Sequence, residues 1–200
     1  MKFDIIFAGV GGQGVLSMAA IIGRAAVAEG LLAKQSEVHG MAQRGGAVQA
    51  HLRLSDHPIA SDLIGTGVAD LVLSLEPLES LRYLSYLKPQ GAFVTAAEPF
   101  LNIPNYPDPA QLHAHVHALP HGVVIEAERI AREVGDVQMV NTVMVGAASP
   151  FLPMKQENLE AAVRENFERK GEAVVNLNLA AFRAGRAAAR GLDAKLAVKA

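Results

Sequence analysis

Three glycines near the start of the sequence, at positions 9, 11 and 14, have the G-x-G-x-x-G spacing of a loop that binds phosphate. In such a loop the first glycine permits a tight turn, the second lets the backbone approach a pyrophosphate, and the third lets helix and strand pack closely. The apolar run FDIIFA precedes the glycines, and the helical pattern VLSMAAIIGRAAVAEG follows them. This order of strand, glycine turn and helix is that of a Rossmann-type nucleotide site, where helix N–H groups face the phosphate.

A second group of polar residues, SEVHGMAQRGG, follows the first helix. Glu37 stands near the position where an acidic residue grips a ribose, about 20 residues after the glycine loop. Gly12 and Gln13 depart from a simple phosphate loop, and the second segment is denser in distinctive side chains than a ribose contact requires. We therefore interpret the two loops as one binding crevice, formed by Gly9, Gly11, Gly12, Gln13, Gly14, Glu37, His39, Gly40, Met41, Gln43, Arg44, Gly45 and Gly46.

Two further clusters carry titratable groups. His113, His115 and His117 alternate in HAHVH, so a strand would place three imidazoles on one face, as zinc or nickel ligands or as solvated side chains. Glu76, Glu79 and Arg82 could be paired carboxylates for proton transfer, or a charged first helical turn with an i,i+3 ion pair. We favour the solvated strand and the helical ion pair.

The elements that must position these residues follow an α/β rhythm. LLAKQSEV is read as the second strand of a βαβ unit, AVQAHLRL as a strand with one solvated face, and ADLVLSLEP and GAFVTAA as further strands. From residue 141 the patterns are mostly helical, and Asn176, Asn178 and Phe182 lie on a last helix that packs on a partner or closes the core. We predict one Rossmann-like, three-layer α/β domain over residues 1–191, with a mostly parallel sheet, a helical C-terminal region and a flexible tail over 192–200.

Composition excludes several classes of function. Eighteen basic and 20 acidic residues give a net charge of −2 and no electrostatic footprint for nucleic acid. No apolar stretch reaches the roughly 18 charge-free residues of a membrane span, and the first residues do not resemble a signal peptide, so we expect a cytoplasmic protein. The sequence contains no cysteine, which excludes disulfides, a thiolate nucleophile and iron–sulfur clusters held by this chain's own thiolates.

Five segments together resemble a known family. GVGGQGV, SEVHGMAQRGGAVQAHLR, ADLVLSLEPLESLR, VNTVMVGA and NLNLAAFRAG stand in the order and approximate spacing of the gamma-type subunit or domain of 2-oxoacid:ferredoxin oxidoreductases. EVHGMAQRGG is most similar to the indolepyruvate ferredoxin oxidoreductase branch, in which this subunit is called beta. The resemblance covers nearly the whole chain, from about Lys2 to Gly191.

The resemblance implies a subunit that carries no redox cofactor of its own. Enzymes of this family decarboxylate a 2-oxoacid on thiamine diphosphate with Mg²⁺, pass electrons through iron–sulfur clusters to ferredoxin, and release an acyl-CoA. The chain lacks cysteines for clusters, and Gly135-Asp136-Val137 lacks the second glycine of the thiamine diphosphate signature. We therefore expect those cofactors on a large alpha subunit, an aryl pyruvate such as indolepyruvate as substrate, and an inactive isolated chain, which could form a homodimer.

The second loop then has a binding role and a structural alternative. Arg44 could pair with a carboxylate of the partner or with a phosphate of the co-substrate coenzyme A, or it could pair with Glu37. His39 could hydrogen-bond near the partner's active site, or cap a turn. Gln13 and Gln43 would offer amides to the crevice, and Gly45 and Gly46 would permit a turn with positive φ. The alternative functions are an NAD- or FAD-binding Rossmann oxidoreductase and a nucleotide-sensing or scaffolding module.

Overall fold

A six-stranded β-sheet forms the middle layer of the protein, which the computed structural model describes over residues 1–39, 45–101 and 103–197. The strands are β1 Lys2–Val10, β2 Leu32–His39, β3 Ala47–Ser55, β4 Ala69–Ser74, β5 Leu87–Ala96 and β6 Gly122–Ile125. Their order across the sheet is β2-β3-β1-β4-β5-β6. β1 pairs in parallel with β4, β4 with β5, and β5 with β6, whereas β3 is antiparallel to both β1 and β2. The sheet is therefore mostly parallel, as predicted.

The position of β3 corrects the predicted βαβ unit. β2 runs in the same direction as β1, but β3 lies between them and pairs with both. Only residues 40–46 separate β2 from β3, which is too short for the crossover that parallel neighbours need. The two glycine loops still lie at one edge of the sheet, but β1 and β2 are two strand spacings apart, about 9.5 Å.

In the described part of the chain, seven α-helices cover the two faces of the sheet. They are α1 Val15–Ala28, α2 Pro77–Leu81, α3 Pro109–His117, α4 Ala127–Val134, α5 Val140–Ala148, α6 Gln156–Phe167 and α7 Glu172–Ala197. Ile5 and Phe7 of β1 point into the larger core, where α1 and α4 to α7 pack, and Ile6 points into the smaller core beside α3. The three-layer architecture and the helical C-terminal region are as predicted.

The HAHVH segment is helical, so the predicted strand is wrong. Asp108 caps the start of α3 by accepting a hydrogen bond from the Ala110 N–H at 3.0 Å, and Pro109 occupies the first turn. Both residues are typical helix-start signals that the alternation of histidines obscured. On a helix His113, His115 and His117 do not share one face. Among the described residues, no group of three or more potential metal-binding side chains is arranged to hold an ion.

The C-terminal helices pack closely enough to exclude side chains at their contact. A Cβ on Gly146 of α5 would lie 2.0 Å from the Phe182 carbonyl oxygen of α7, and a Cβ on Gly185 would lie 2.0 Å from the Val143 carbonyl oxygen. Phe182 is fully buried, so it closes the core, while Asn176 is exposed. The backbone of α7 continues as helix to Ala197, and the flexibility of residues 192–200 stays a prediction. Over the ranges described, no helix is long and apolar enough to cross a bilayer.

Candidate functional site

The first glycine loop, residues 9–14, connects the end of β1 to the start of α1. Gly9 is buried inside β1, where it pairs with Val48, and a Cβ there would lie 2.8 Å from Val15 Cγ2, so this glycine permits close strand–helix packing and the predicted tight turn does not lie at Gly9 itself. Gly14 has φ +84°, and a Cβ on it would lie 2.3 Å from Asn141 Nδ2. At the third glycine, Gly14, the residue that leaves no room for a side chain is therefore Asn141 of α5, and α5 lies beside the start of α1.

Gln13 ties this loop to its neighbours. Its Oε1 accepts a hydrogen bond from the Val10 N–H at 2.7 Å, and its Nε2 donates to the Leu75 carbonyl at 3.3 Å. The Leu75 N–H in turn donates to the Ala8 carbonyl at 3.1 Å. The Gln13 amide thus bonds to backbone on both sides of the β1–β4 junction, whereas the sequence interpretation had it facing a ligand.

The two glycine loops are hydrogen-bonded to each other. The Gly11 N–H donates to the Gly46 carbonyl at 2.7 Å, and the Gly45 N–H donates to the Gly11 carbonyl at 3.2 Å. Gly45 has φ +77°, which confirms the predicted left-handed turn at this residue. Both backbone groups of Gly11, the glycine that would approach a pyrophosphate, are therefore engaged by the second loop.

These contacts do not fit a dinucleotide. Glu37 lies on β2, which β3 separates from β1, and its Oε1 accepts a hydrogen bond from Gln35 Nε2 at 3.0 Å. The pocket beside the glycines has a volume of about 230 Å³ and is lined by Val10, Gly11, Gly12, Gly14, Val15, Leu16 and Val48. Pockets that enclose a drug-sized ligand measure about 300–1,000 Å³. The pocket is thus smaller than that range and can hold part of a ligand.

The remaining residues of the predicted crevice belong to the second loop. His39 is the last residue of β2, and it pairs in the sheet with Val48 of β3. Gly40, Met41, Gln43 and Arg44 lie outside the described residues, and so does the predicted choice between a partner contact and an ion pair for Arg44. At the described end of the loop, Gly45 and Gly46 are hydrogen-bonded to Gly11.

Glu76 is the buried carboxylate of the site. It follows β4 and caps α2, where its Oε2 accepts a hydrogen bond from the Glu79 N–H at 2.6 Å. Its Oε1 accepts from the Phe100 N–H at 3.3 Å and from the Tyr106 hydroxyl. Burial and the Glu76 carboxylate raise the pKa of the Tyr106 hydroxyl well above its usual range, so the tyrosine stays a donor. Sequence reasoning missed Tyr106, whose position in a proline-rich segment carries no periodic signal.

Glu79 forms the predicted i,i+3 ion pair. Arg82 Nε lies 3.3 Å from Glu79 Oε2. Burial raises the pKa of the Glu79 carboxyl, while the positive charge of Arg82 opposes that shift. Glu76 and Glu79 therefore act mainly as a helix cap and a helical ion pair, which is the interpretation that the spacing favoured.

Known proteins resemble this chain over almost its whole length. Residues 4–188 match the family model described as pyruvate ferredoxin/flavodoxin oxidoreductase. The chain belongs to that family. It is 35% identical to indolepyruvate oxidoreductase subunit IorB of Pyrococcus horikoshii, over 94% of this chain and 96% of the relative. It is 36% identical to subunit IorB of Methanothermobacter thermautotrophicus, over 94% of this chain and 98% of the relative.

Solved structures of this oxidoreductase family share the fold. The gamma subunit of a keto/oxoacid ferredoxin oxidoreductase from Geobacter sulfurreducens aligns with 94% of this chain and 99% of its own, at 26% identity and a TM-score of 0.69. A 2-oxoglutarate:ferredoxin oxidoreductase from Magnetococcus marinus, solved with 2-oxoglutarate, coenzyme A and succinyl-CoA bound, aligns with 95% of this chain at 25% identity and a TM-score of 0.74. The present chain spans about a third of that longer chain, 31%.

Membership of the ferredoxin oxidoreductase family confirms the predicted resemblance, including its similarity to the indolepyruvate branch. The structure brings the first glycine loop, the described ends of the second loop and the Glu76 cluster to the carboxyl edge of one sheet. Open α/β sheets place their ligand sites at this edge. The histidines of α3 form no part of this arrangement.

Proposed function

We propose that this chain is the small subunit of an indolepyruvate ferredoxin oxidoreductase, and that its glycine-loop edge covers the active site of a larger subunit. The observation that carries the proposal is the pair of hydrogen bonds between Gly11 and the Gly45–Gly46 segment. These bonds engage both backbone groups of the glycine that would approach a pyrophosphate in a Rossmann fold, and they join the glycines of the two loops into one surface. Such a surface suits contact with a ligand or active site that belongs mainly to another subunit.

The larger subunit would supply the redox chemistry. The family resemblance implies that thiamine diphosphate with Mg²⁺ and iron–sulfur clusters carry out decarboxylation and electron transfer to ferredoxin. This sequence contains no cysteine, so it offers no thiolate for a cluster. The role of this chain is then to exclude water from the covered site and to hold part of the co-substrate.

Coenzyme A is the co-substrate that the glycine pocket would share with the larger subunit. The pocket is walled by valine and leucine side chains and by the backbone of three glycines, and α1 begins at Gly14 without a side-chain cap. Uncapped N–H groups at a helix start favour an anionic or carbonyl oxygen, and apolar walls favour a pantetheine-like chain. A volume of about 230 Å³ admits one portion of coenzyme A, so the larger subunit must bind the rest.

Reconstitution tests the proposal. The larger subunit is assayed anaerobically for oxidation of indolepyruvate with ferredoxin as acceptor and coenzyme A as co-substrate, with and without this chain. We expect each polypeptide to be inactive alone and the pair to form an acyl-CoA. Full activity of the larger subunit alone would contradict the proposal, and so would retention of NAD or FAD by this chain with no effect on the assay.

Two glycine variants separate pocket contact from fold stability. Gly12 lines the pocket with φ +102°, Gly30 follows the end of α1 with φ +80°, and a Cβ at either position meets no atom within 4 Å. Gly12→Ala and Gly30→Ala therefore carry similar backbone strain, on the order of 1–2 kcal/mol. We expect Gly12→Ala to raise the KM for coenzyme A about fivefold or more, and Gly30→Ala to leave it within about twofold. Equal KM values for both variants would place coenzyme A elsewhere.

A further inference from the structure

The loop between β5 and α3 exposes a cluster of large apolar side chains. We define the β5–α3 loop as residues 97–101 and 103–108. Phe100 is 40% exposed, Leu101 74% and Ile103 44%. Single exposed apolar residues are common on protein surfaces, but three within four positions of one loop are a concentration of apolar surface that favours an interaction site.

One buried carboxylate holds this loop in place. Glu76 is only 1% exposed, and its Oε1 accepts hydrogen bonds from the Phe100 N–H and the Tyr106 hydroxyl, on either side of the exposed residues. The start of the loop is bonded as well, because the Ala97 N–H donates to the Ile125 carbonyl at 2.8 Å. Phe100 and Tyr106 are therefore anchored on either side of the exposed residues, which reduces the ordering entropy that binding would otherwise cost.

The β5–α3 loop is continuous with the glycine-loop edge. Ala8, Ser74 and Thr95 are level with one another across β1, β4 and β5, so these strands end at the same edge of the sheet. Leu75 accepts a hydrogen bond from Gln13 of the glycine loop, and the next residue, Glu76, binds the β5–α3 loop. The glycine pocket and the β5–α3 loop therefore both lie at the carboxyl edge of the sheet, the edge that the proposed function assigns to the larger subunit.

We propose that the β5–α3 loop is the apolar anchor by which this chain docks onto the larger subunit, which would offer a matching apolar recess. This inference rests on the proposed function. A second copy of this chain on the loop would obstruct the edge that has to face the larger subunit. Leu101, the most exposed of the three, contributes most to docking because its burial removes the largest fraction of its surface from water.

A matched pair of leucine variants supplies the test. Leu101→Asp places a charge on the loop, and Leu63→Asp places the same charge on a leucine that is 56% exposed in the connection from β3 to β4. That connection leaves β3 at Ser55, which pairs with Lys2 at the opposite, amino edge of β1. Because both side chains are exposed, neither change should lower the thermal midpoint by more than a few degrees.

The dissociation constant of each variant for the purified larger subunit is measured by surface plasmon resonance, and the oligomeric state of the chain by light scattering. We expect Leu101→Asp to weaken binding at least about tenfold, and Leu63→Asp to stay within about twofold of the unaltered chain. Equal binding by both variants would overturn the docking role and leave the proposed function intact. If the unaltered chain does not bind the larger subunit, the proposed function itself fails. A homodimer that only Leu101→Asp dissociates would assign the loop to a second copy and overturn the proposal.

Discussion

Alanine at position 146 should force α5 away from α7 and destabilise the protein. The added Cβ would lie 2.0 Å from the Phe182 carbonyl oxygen, whereas real Cβ atoms essentially never approach a heavy atom within 3.0 Å. The obstacle is the backbone of the facing helix, so no side-chain rotation relieves it. The two helices would have to separate by about 1 Å. Gly185 of α7 makes the same kind of close contact in the other direction, because a Cβ there would lie 2.0 Å from the Val143 carbonyl oxygen of α5.

The size of the effect follows from two opposed contributions. Overpacking a core costs about 1–3 kcal/mol, and a backbone obstacle places this site at the upper end of that range. Alanine returns up to about 1 kcal/mol of helix propensity relative to glycine. We therefore expect Gly146→Ala to lower the free energy of unfolding by about 2 kcal/mol, which corresponds to a fall of about 4–8 °C in Tm for a domain of this size.

Urea denaturation and thermal melting measure this change, with Gly191→Ala as the control. Gly191 also lies on α7, but a Cβ there meets no atom within 4 Å, so alanine should stabilise the protein by about 0.5–1 kcal/mol. If Gly146→Ala is as stable as the unaltered chain, the helices do not touch as described and the reasoning is refuted. Because Asn141 of α5 lies against Gly14, a shift of α5 should also disturb the glycine loop.

Three further predictions concern buried polar groups. Burial raises the pKa of the Glu98 carboxyl, so the charged form of this side chain lowers the stability of the protein at neutral pH. Glu98→Gln should therefore raise Tm at pH 7. The rise in Tm should vanish below the ordinary carboxyl pKa of 4.5, where Glu98 is neutral in both the folded and the unfolded state. Burial lowers the pKa of His51, whose Nδ1 accepts a hydrogen bond from the Ile64 N–H at 2.8 Å. The midpoint of its NMR titration should therefore lie below 6.5, and the stability of the protein should fall as the pH drops through 6.5. A midpoint above 6.5 would contradict the lowered pKa. Asn178→Ala removes the Oδ1 that accepts a hydrogen bond from the buried Thr142 hydroxyl at 2.7 Å, and urea denaturation should show a fall of about 1–3 kcal/mol in the free energy of unfolding. Adding Thr142→Val should recover part of that loss, because no unpaired hydroxyl then remains. If the double variant recovers nothing, the pairing is refuted.

Local patterns in the sequence were sufficient for most elements of the fold. The apolar run before the first glycine is a buried strand, Gly30 follows the end of α1 with φ +80°, and Gly135 ends α4. These features are predictable because the periodicity of apolar residues and the conformations open to glycine can be read from neighbouring residues. The prediction of a strand at HAHVH is wrong because it rests on the alternation of histidines alone, whereas Asp108 and Pro109 before the segment indicate the start of a helix. Its helical apolar pair, Leu112 and Val116, was the better signal.

The candidate site was predictable in composition but not in arrangement. The sequence predicts that the two glycine loops form one binding crevice; Gly45 and Gly46 are hydrogen-bonded to Gly11, and binding by the crevice stays a prediction. The internal bonds of Gln13 and the reach of Tyr106 to Glu76 were not foreseen, because each joins residues from different strands or loops. Side-chain partners of this kind depend on strand order, which no local pattern encodes.

The sequence by itself determined the α/β class, the positions of the glycine turns and the family to which the chain belongs, since these rest on local spacing and on motifs that can be read along the chain. Only the tertiary structure decided that β3 lies between β1 and β2, that Gly45 and Gly46 are hydrogen-bonded to Gly11, and that Glu76 binds the loop between β5 and α3. The physical reason is that strand neighbours are chosen by pairing and burial summed over the whole chain.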